Sequence, residues 1–254
     1  MSDLGVVERL RAAGCVFAEE EAELLRAAAA GTAELDLMVE QRASGLPLEH
    51  VVGWAEFAGL RVEVDPRVFV PRRRTEFLAG QAVGLARAGA VCVDLCCGSG
   101  AAAAVLLEAV PDAEVHASDI EPAAVRCARR NVEPRGGRVY EGDLFAPLPR
   151  ELRGRVDVLV ANVPYVPSGE VGLLPTEARV HEPLVALDGG ADGLDVLRRV
   201  AAEAAAWLAP GGSLLTETSE QQCGPALDAL AAAGLTPRVV TDEDLYATVV
   251  IATR

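Results

Sequence analysis

The sequence predicts an α/β protein with a mostly parallel sheet, helices on both faces, a terminal antiparallel hairpin and a small N-terminal helical domain. Three observations carry this. From residue 90 onward, short apolar runs alternate with alanine-rich amphipathic segments. A turn, Gly98-Ser99-Gly100, joins the first such run to the first such segment. The last two apolar runs, 236–240 and 247–251, are joined only by residues 241–246, too few for a helical crossover between parallel strands.

The elements follow in order. Leu4, Val7, Leu10 and Arg11 open a first helical pattern that Gly14 ends. A second helix is expected over 19–30, with Leu24 and Leu25 inward and Gly31 as its stop, and a third over 33–43, ending at Ser44-Gly45. Phe57, Leu60, Val62, Val64, Val68 and Phe69 then nearly alternate, broken by Gly59 and Asp65-Pro66, which predicts a hairpin-like connector. Pro71 to Glu76 lead into a helix through residue 88. Strands are expected at 91–95, 114–118, 138–141, 156–161, 213–216, 236–240 and 247–251. Helices are expected at 101–109, 122–131, 191–208 and 221–233, with Leu194, Leu197, Ala201 and Leu208 on one side of the third of these.

Composition narrows the function. The chain has 254 residues, 51% hydrophobic and 24% charged, as a globular protein does. With 38 acidic against 23 basic residues its net charge is −15, which argues against sequence-independent nucleic-acid binding, since a phosphate backbone needs a basic footprint. Lysine is absent, which excludes a lysine nucleophile or Schiff base. Cys15, Cys92, Cys96, Cys97, Cys127 and Cys223 form no paired CxxC, and His50, His116 and His181 are scattered, so no metal site is expected. Asp3, Glu8 and Arg9 interrupt any early apolar segment, and no apolar run reaches about 18 residues. A cytoplasmic protein with reduced cysteines and no membrane partner is expected.

Three loops carry candidate chemistry. Asp94 ends the first strand, and Cys96, Cys97, Gly98, Ser99 and Gly100 turn from it into a helix whose unpaired N–H groups suit a polar ligand. Asp119 and Ile120 follow the second strand, about 20 residues past the glycines, where an acid accepts ribose hydroxyls. Asp143 and Leu144 follow the third strand; there an aspartate can accept from an amino group and a leucine can pack on a nucleoside ring. These features fit a dinucleotide, through Gly98 to Ala103 as G-x-G-x-x-A, and equally fit adenosylmethionine. A tight turn without ligand and Asp119 as a plain helix cap also stay open here.

Asn162-Val163-Pro164-Tyr165 after the fourth strand separates the two cofactors. The chain runs outward from the first strand and returns to its other side with the fourth, so this turn and Gly98–Gly100 should face one crevice at the switch point. A nicotinamide enzyme has no need of such a turn. A transferase acting on a planar amide or amino nitrogen does, because that lone pair is delocalised. Asn162 Oδ1 and a backbone carbonyl can accept both N–H groups while Tyr165 packs on the flat group. A turn that merely ends a strand remains the alternative.

At this point the sequence resembles the HemK/PrmC family of protein-glutamine N5-methyltransferases, of the Rossmann-like class I fold, over roughly residues 46–254. The resemblance rests on an ordered set: Leu46-Pro47-Leu48 with Val52-Gly53 and Phe57; Val68-Phe69-Val70-Pro71-Arg72 with Thr75-Glu76; Asp94 to Gly100; Asp119-Ile120; Gly142 to Phe145; Asn162 to Tyr165; Glu182-Pro183; Ala186-Leu187; Gly189-Gly190; Asp192-Gly193-Leu194; Glu217 and Gln222. It implies a helical substrate-recognition domain at 1–48, a hairpin-like linker at 49–74 and a methyltransferase domain at 75–254. It implies S-adenosylmethionine as donor, S-adenosylhomocysteine as product, and a protein substrate carrying a glutamine on an exposed loop, a release factor or ribosomal protein. Carried over, Cys96–Gly100, Asp119, Leu144 and Asn162 contact the cofactor, Asn162 to Tyr165 contact the glutamine, and Phe69 lines the transfer region. The chain departs from the family in three ways. Val163 stands at the first proline of Asn-Pro-Pro-Tyr, Cys96 stands at the first loop glycine, and the N-terminal region is short. Arg72, Arg73 and Arg74 face an acidic partner, order the cofactor side, or are solvated. The competing activities are a nucleic-acid adenine N6-methyltransferase, which lacks its basic recognition surface here, and a cofactor-binding protein without transferase activity.

Overall fold

The computed structural model describes residues 3–254; the side chain of Leu4, which opens the first apolar pattern, lies outside what is described. Helices α1 (Asp3–Ala12), α2 (Ala18–Ala28) and α3 (Thr32–Ala43) close on a small core of Leu10, Ala22, Leu25 and Val39. Leu25 is fully buried but Leu24 is not, at 38% exposure. Adjacent helical residues point about 100° apart, and the inner face of α2 runs instead through Ala18, Glu21, Ala22 and Leu25. A short α4 (Leu48–Val52) leads into strands β1 (Trp54–Phe57) and β2 (Leu60–Glu63), which pair antiparallel as the alternation required.

Helix α5 (Thr75–Leu85) starts within the segment that leads into it and ends three residues earlier than expected. Beyond it, the main sheet is built from β3 (Val91–Leu95), β4 (Glu114–Asp119), β5 (Arg138–Glu141), β6 (Val156–Ala161), β7 (Leu208–Glu217), β8 (Thr236–Asp242) and β9 (Ala247–Thr253). Between them lie α6 (Ala101–Ala109), α7 (Pro122–Val132), α8 (Thr176–His181), α9 (Asp195–Trp207) and α10 (Cys223–Ala232). The sheet order is β5-β4-β3-β6-β7-β9-β8, with the pairs from β5 to β7 parallel and those of β9 antiparallel. β3 and β6 therefore lie side by side, and the chain departs in opposite directions from them.

Three elements differ from the periodicity. The helix expected from 191 starts at Asp195, because Gly193 takes a φ of +78° and Asp192 Oδ1 accepts the Leu194 N–H at 3.2 Å, a local turn that competes with helix. Leu208 then opens β7 rather than closing α9, and α8 falls in a stretch without apolar periodicity. Among the described residues no helix is long and apolar enough to cross a membrane.

The alternation of strand side chains decides what meets what. Cys92, Val158, Val160 and Leu215 pack under α5, α6 and α7 with Leu78, Leu106 and Val125. Val93, Leu159, Leu214 and Val163 pack on the other face under α9 and α10 with Leu197, Val200 and Leu230. Asp94, Asn162 and Glu217 have the parity of the first set, so all three leave the ends of their strands on the α5–α6 face.

Gly100 begins α6 in the left-handed region, at φ +78°, where a Cβ would lie 2.7 Å from Val132 Cγ2 and 3.2 Å from Ala128 Cβ on α7. Gly100→Ala is expected to lower unfolding stability by about 1–3 kcal/mol, from backbone strain and the displaced α7 contact together, measured by urea denaturation.

Candidate active site

The carboxyl ends of β3, β4 and β6 open into a cavity of about 540 Å³. Its floor is the turn after β3. Cys97 N–H donates to Ser118 O at 3.1 Å and Gly98 N–H donates to Asp119 Oδ2 at 2.8 Å, which drapes the turn over the end of β4. The other Asp119 oxygen accepts from Glu121 N–H at 2.9 Å. Burial raises the Asp119 carboxyl above its ordinary value, while those two N–H groups pull it back. Cys96, in the place of a glycine, holds φ +55°, the left-handed conformation that explains why glycine suits the position.

Asp94 lines the cavity but is only 2% exposed, and its Oδ2 accepts the Ala103 N–H at 3.1 Å in the first turn of α6. It caps the helix from the neighbouring strand. Burial pushes its carboxyl up to about 7 against that hydrogen bond. Gly100 does not line the cavity and serves the helix packing described above. At the third strand, Ser118 Oγ donates to Leu144 O at 2.9 Å and holds Leu144 at φ +47° against the cavity. Asp143 also lines it, with Oδ2 taken by Arg199 at 2.5 Å. Ile120 is a half-exposed wall residue.

Across the cavity stands the turn after β6. Asn162 Oδ1 is buried without a hydrogen-bond partner among the described residues. Such an atom costs free energy unless a ligand group meets it. Val163, Pro164 and Tyr165 complete this wall, with the Val163 side chain sunk in the α9 face of the core at 3% exposure. Gly189 and Gly193 let the following loop pass behind it: a Cβ on Gly189 would lie 2.6 Å from Pro164 O, and Gln222 Nε2 fills the space beside Gly193 while donating to Tyr165 O at 2.7 Å and Asp192 O at 2.9 Å.

Phe69 and Arg72 form the third side. Arg72 stacks over the Phe69 ring at 4.9 Å, and its guanidinium reaches both oxygens of buried Glu182 at 2.6 and 2.7 Å, whose Oε1 also accepts Val70 N–H at 3.1 Å. This anchors the mouth segment, where Leu174, Pro175, Glu177 and Val185 line the cavity. Nothing local in the sequence marks those residues; they arrive through the distant Arg72–Glu182 pair. Arg74 is not simply solvated either: its Nε lies 2.9 Å from Glu217 Oε1. Arg73 is exposed.

A switch-point cavity with a glycine turn, an acid after the second strand and an unpartnered asparagine carbonyl defines a class I adenosylmethionine-dependent methyltransferase. The family described as methyltransferase small domain matches residues 75–190. A solved methyltransferase from Pyrococcus furiosus shares the fold with a TM-score of 0.58 at 18% identity, over 77% of this chain and 89% of that one. The release factor glutamine methyltransferase of Mycolicibacterium smegmatis is 38% identical over 255 residues, 93% of this chain and 90% of that protein. A 4-amino-L-phenylalanine/4-methylamino-L-phenylalanine methyltransferase of Streptomyces pristinaespiralis is 40% identical over 198 residues, 74% of this chain and 67% of its own length. The chain belongs to the release factor glutamine methyltransferase family.

Because Asp94 binds its proton more tightly folded than unfolded, its contribution to stability is full at low pH and is lost as the pH rises from about 4 through about 7. In urea titrations across that window, wild-type stability is expected to fall relative to Asp94→Asn, whose amide carbonyl still accepts the Ala103 N–H and which does not titrate.

Proposed function

We propose that this chain transfers a methyl group from S-adenosylmethionine to the side-chain amide nitrogen of a glutamine in a peptide chain release factor, the glutamine being presented on an exposed loop. The observation that carries the reading is the buried, unpartnered Oδ1 of Asn162, a residue that lines the cavity together with the Gly98 turn. Family membership adds the substrate class.

The cofactor fits the residues present. The turn from Cys96 to Ser99, the Asp119 carboxylate, Ile120 and the Asp143–Leu144 loop would hold its nucleoside and amino-acid ends. Bound there, it supplies a methyl group on an electron-poor sulfonium. The rest is positioning by this chain. An amide nitrogen is a weak nucleophile, so the site must fix its direction and stabilise the charge that grows on it. Asn162 Oδ1 accepts one N–H of the carboxamide and the Val163 carbonyl oxygen accepts the other. Both point partial negative charge at the nitrogen and need no reorganisation as it reacts; the C–N bond would form as the sulfonium C–S bond breaks to leave S-adenosylhomocysteine, and one carboxamide proton, held by Asn162 Oδ1 or the Val163 carbonyl, would pass to solvent as product leaves. Tyr165 packs against the planar group, and the Phe69 side and the 174–187 mouth segment exclude water. The change from proline to Val163 leaves the carbonyl in place; the following Pro164 still confines residue 163 to extended backbone.

The domain roles fit the same reading. The helical unit of residues 1–48 meets the mouth segment through Arg42, which donates to Glu21 Oε2 at 2.7 Å and to Glu177 Oε1 at 2.6 Å. Residues 49–74 link it to the methyltransferase unit at 75–254, and we assign the helices to recognition of the protein substrate.

Asn162→Ala is expected to reduce methylation at least ~100-fold while adenosylmethionine binding by calorimetry stays within about threefold. Val163→Pro is expected to stay active. Incubation with labelled cofactor and purified release factor, followed by mass mapping, should place the label on one glutamine. Label on adenine of RNA or DNA, or only on a free aromatic amine, would overturn the assignment.

A further inference from the structure

Tyr165 is held at both ends by groups to which the reading above gives no role. Its main-chain oxygen accepts from Gln222 Nε2, and its hydroxyl donates to Glu217 Oε1 at 3.0 Å. Glu217 is the last residue of β7, and its placement follows from the sheet. Val160 of β6 pairs with Leu215 of β7, so Asn162 and Glu217 each lie two residues past a registered pair, on the same face. The first residue of α5 is met there: Thr75 Oγ1 donates to Glu217 Oε2 at 2.7 Å. Arg74 Nε, 2.9 Å from Oε1, supplies the opposite charge, and its guanidinium carbon lies 5.8 Å from the Tyr165 ring centre.

A carboxylate with 3% side-chain exposure is costly unless charge and hydrogen bonds meet it. Glu217 has three partners, one of which is a residue of the proposed amide clamp. A phenylalanine ring would fill the same space as Tyr165, but only a phenol can be tied down at its far end. Burial and the neighbouring Glu217 hold the Tyr165 hydroxyl well above its ordinary pKa, so it remains a donor.

We propose that Glu217 is a positioning residue for the transfer: anchored by Arg74 and Thr75, it fixes the Tyr165 hydroxyl and thereby the ring that bounds the target carboxamide. This rests on the reading of the Asn162–Tyr165 turn as the amide site. Glu217 itself makes no contact with the reacting atoms and acts through the aromatic ring.

The test is a double-mutant cycle on the full chain with release factor and adenosylmethionine, using Glu217→Gln, Tyr165→Phe and the pair. Each single variant is expected to lower kcat about 10- to 100-fold, since small misplacements of a positioning surface carry losses of that order. Cofactor affinity by calorimetry should stay within about twofold. The paired variant should be no slower than the slower single one within about twofold, because both changes break one link. Multiplying losses in the pair would overturn the proposal, and so would unchanged kcat in either single variant. Tyr165→Phe keeps the ring and changes only the hydroxyl, so full activity in that variant is decisive even if Glu217→Gln fails to fold. Absence of glutamine methylation by the unsubstituted chain would overturn the reading of the site and this proposal with it; a loss confined to the variants leaves that reading standing.

Discussion

The reversal of winding between β3 and β6 is the constraint on which the site depends. Two neighbouring parallel strands whose connections leave in opposite directions cannot be covered at their carboxyl ends by either set of helices. The gap is filled by loops, and each loop must satisfy its own polar groups. Asp119 does this for the glycine turn, Ser118 for the Leu144 loop, and Gln222 for the main chain at Tyr165. The cavity is what is left between them.

Buried carboxylates are the recurring fastener. Asp94 ties strand to helix, Glu182 ties the Phe69 segment to the mouth, and Glu217 ties β7 to α5 and to Tyr165. Two of the three are matched by arginine, whose planar, always charged fork can meet a carboxylate through several donors. In a chain without lysine, Arg72, Arg74 and Arg199 at this site are structural partners of acids rather than a surface offered to phosphates.

Much of the fold was legible because periodicity and punctuation agreed. Strands 138–141 and 156–161 are followed directly by Gly142 and Asn162, and strand 91–95 and helix 101–109 flank the Gly98–Gly100 turn. Legibility failed where a distant contact outweighed local pattern. Helix α9 starts four residues later than the periodicity suggests because Gly193, besides the local Asp192–Leu194 turn, belongs to the wall behind Tyr165. Leu174, Pro175, Glu177 and Val185 escaped for the same reason, although Glu182-Pro183 and Ala186-Leu187 of the same segment stood in the resembling set. In the candidate site, Asp119, Leu144 and Asn162 could be singled out because each lies at or within three residues of the end of a strand. Gly100 could not be separated from its cavity-lining neighbours; Glu217 and Gln222 stood only in the family resemblance and Arg74 had no named partner, since the contacts Gln222–Tyr165, Gln222–Asp192 and Arg74–Glu217 span 30 to 143 residues.

Cys96 bears on how the turn meets its ligand. A β-carbon in the left-handed region costs of order 1–2 kcal/mol that glycine would avoid. The same β-carbon shrinks the set of shapes open to the chain before it folds. With cysteine in place of glycine, less chain entropy stands against forming the bend that meets the nucleoside.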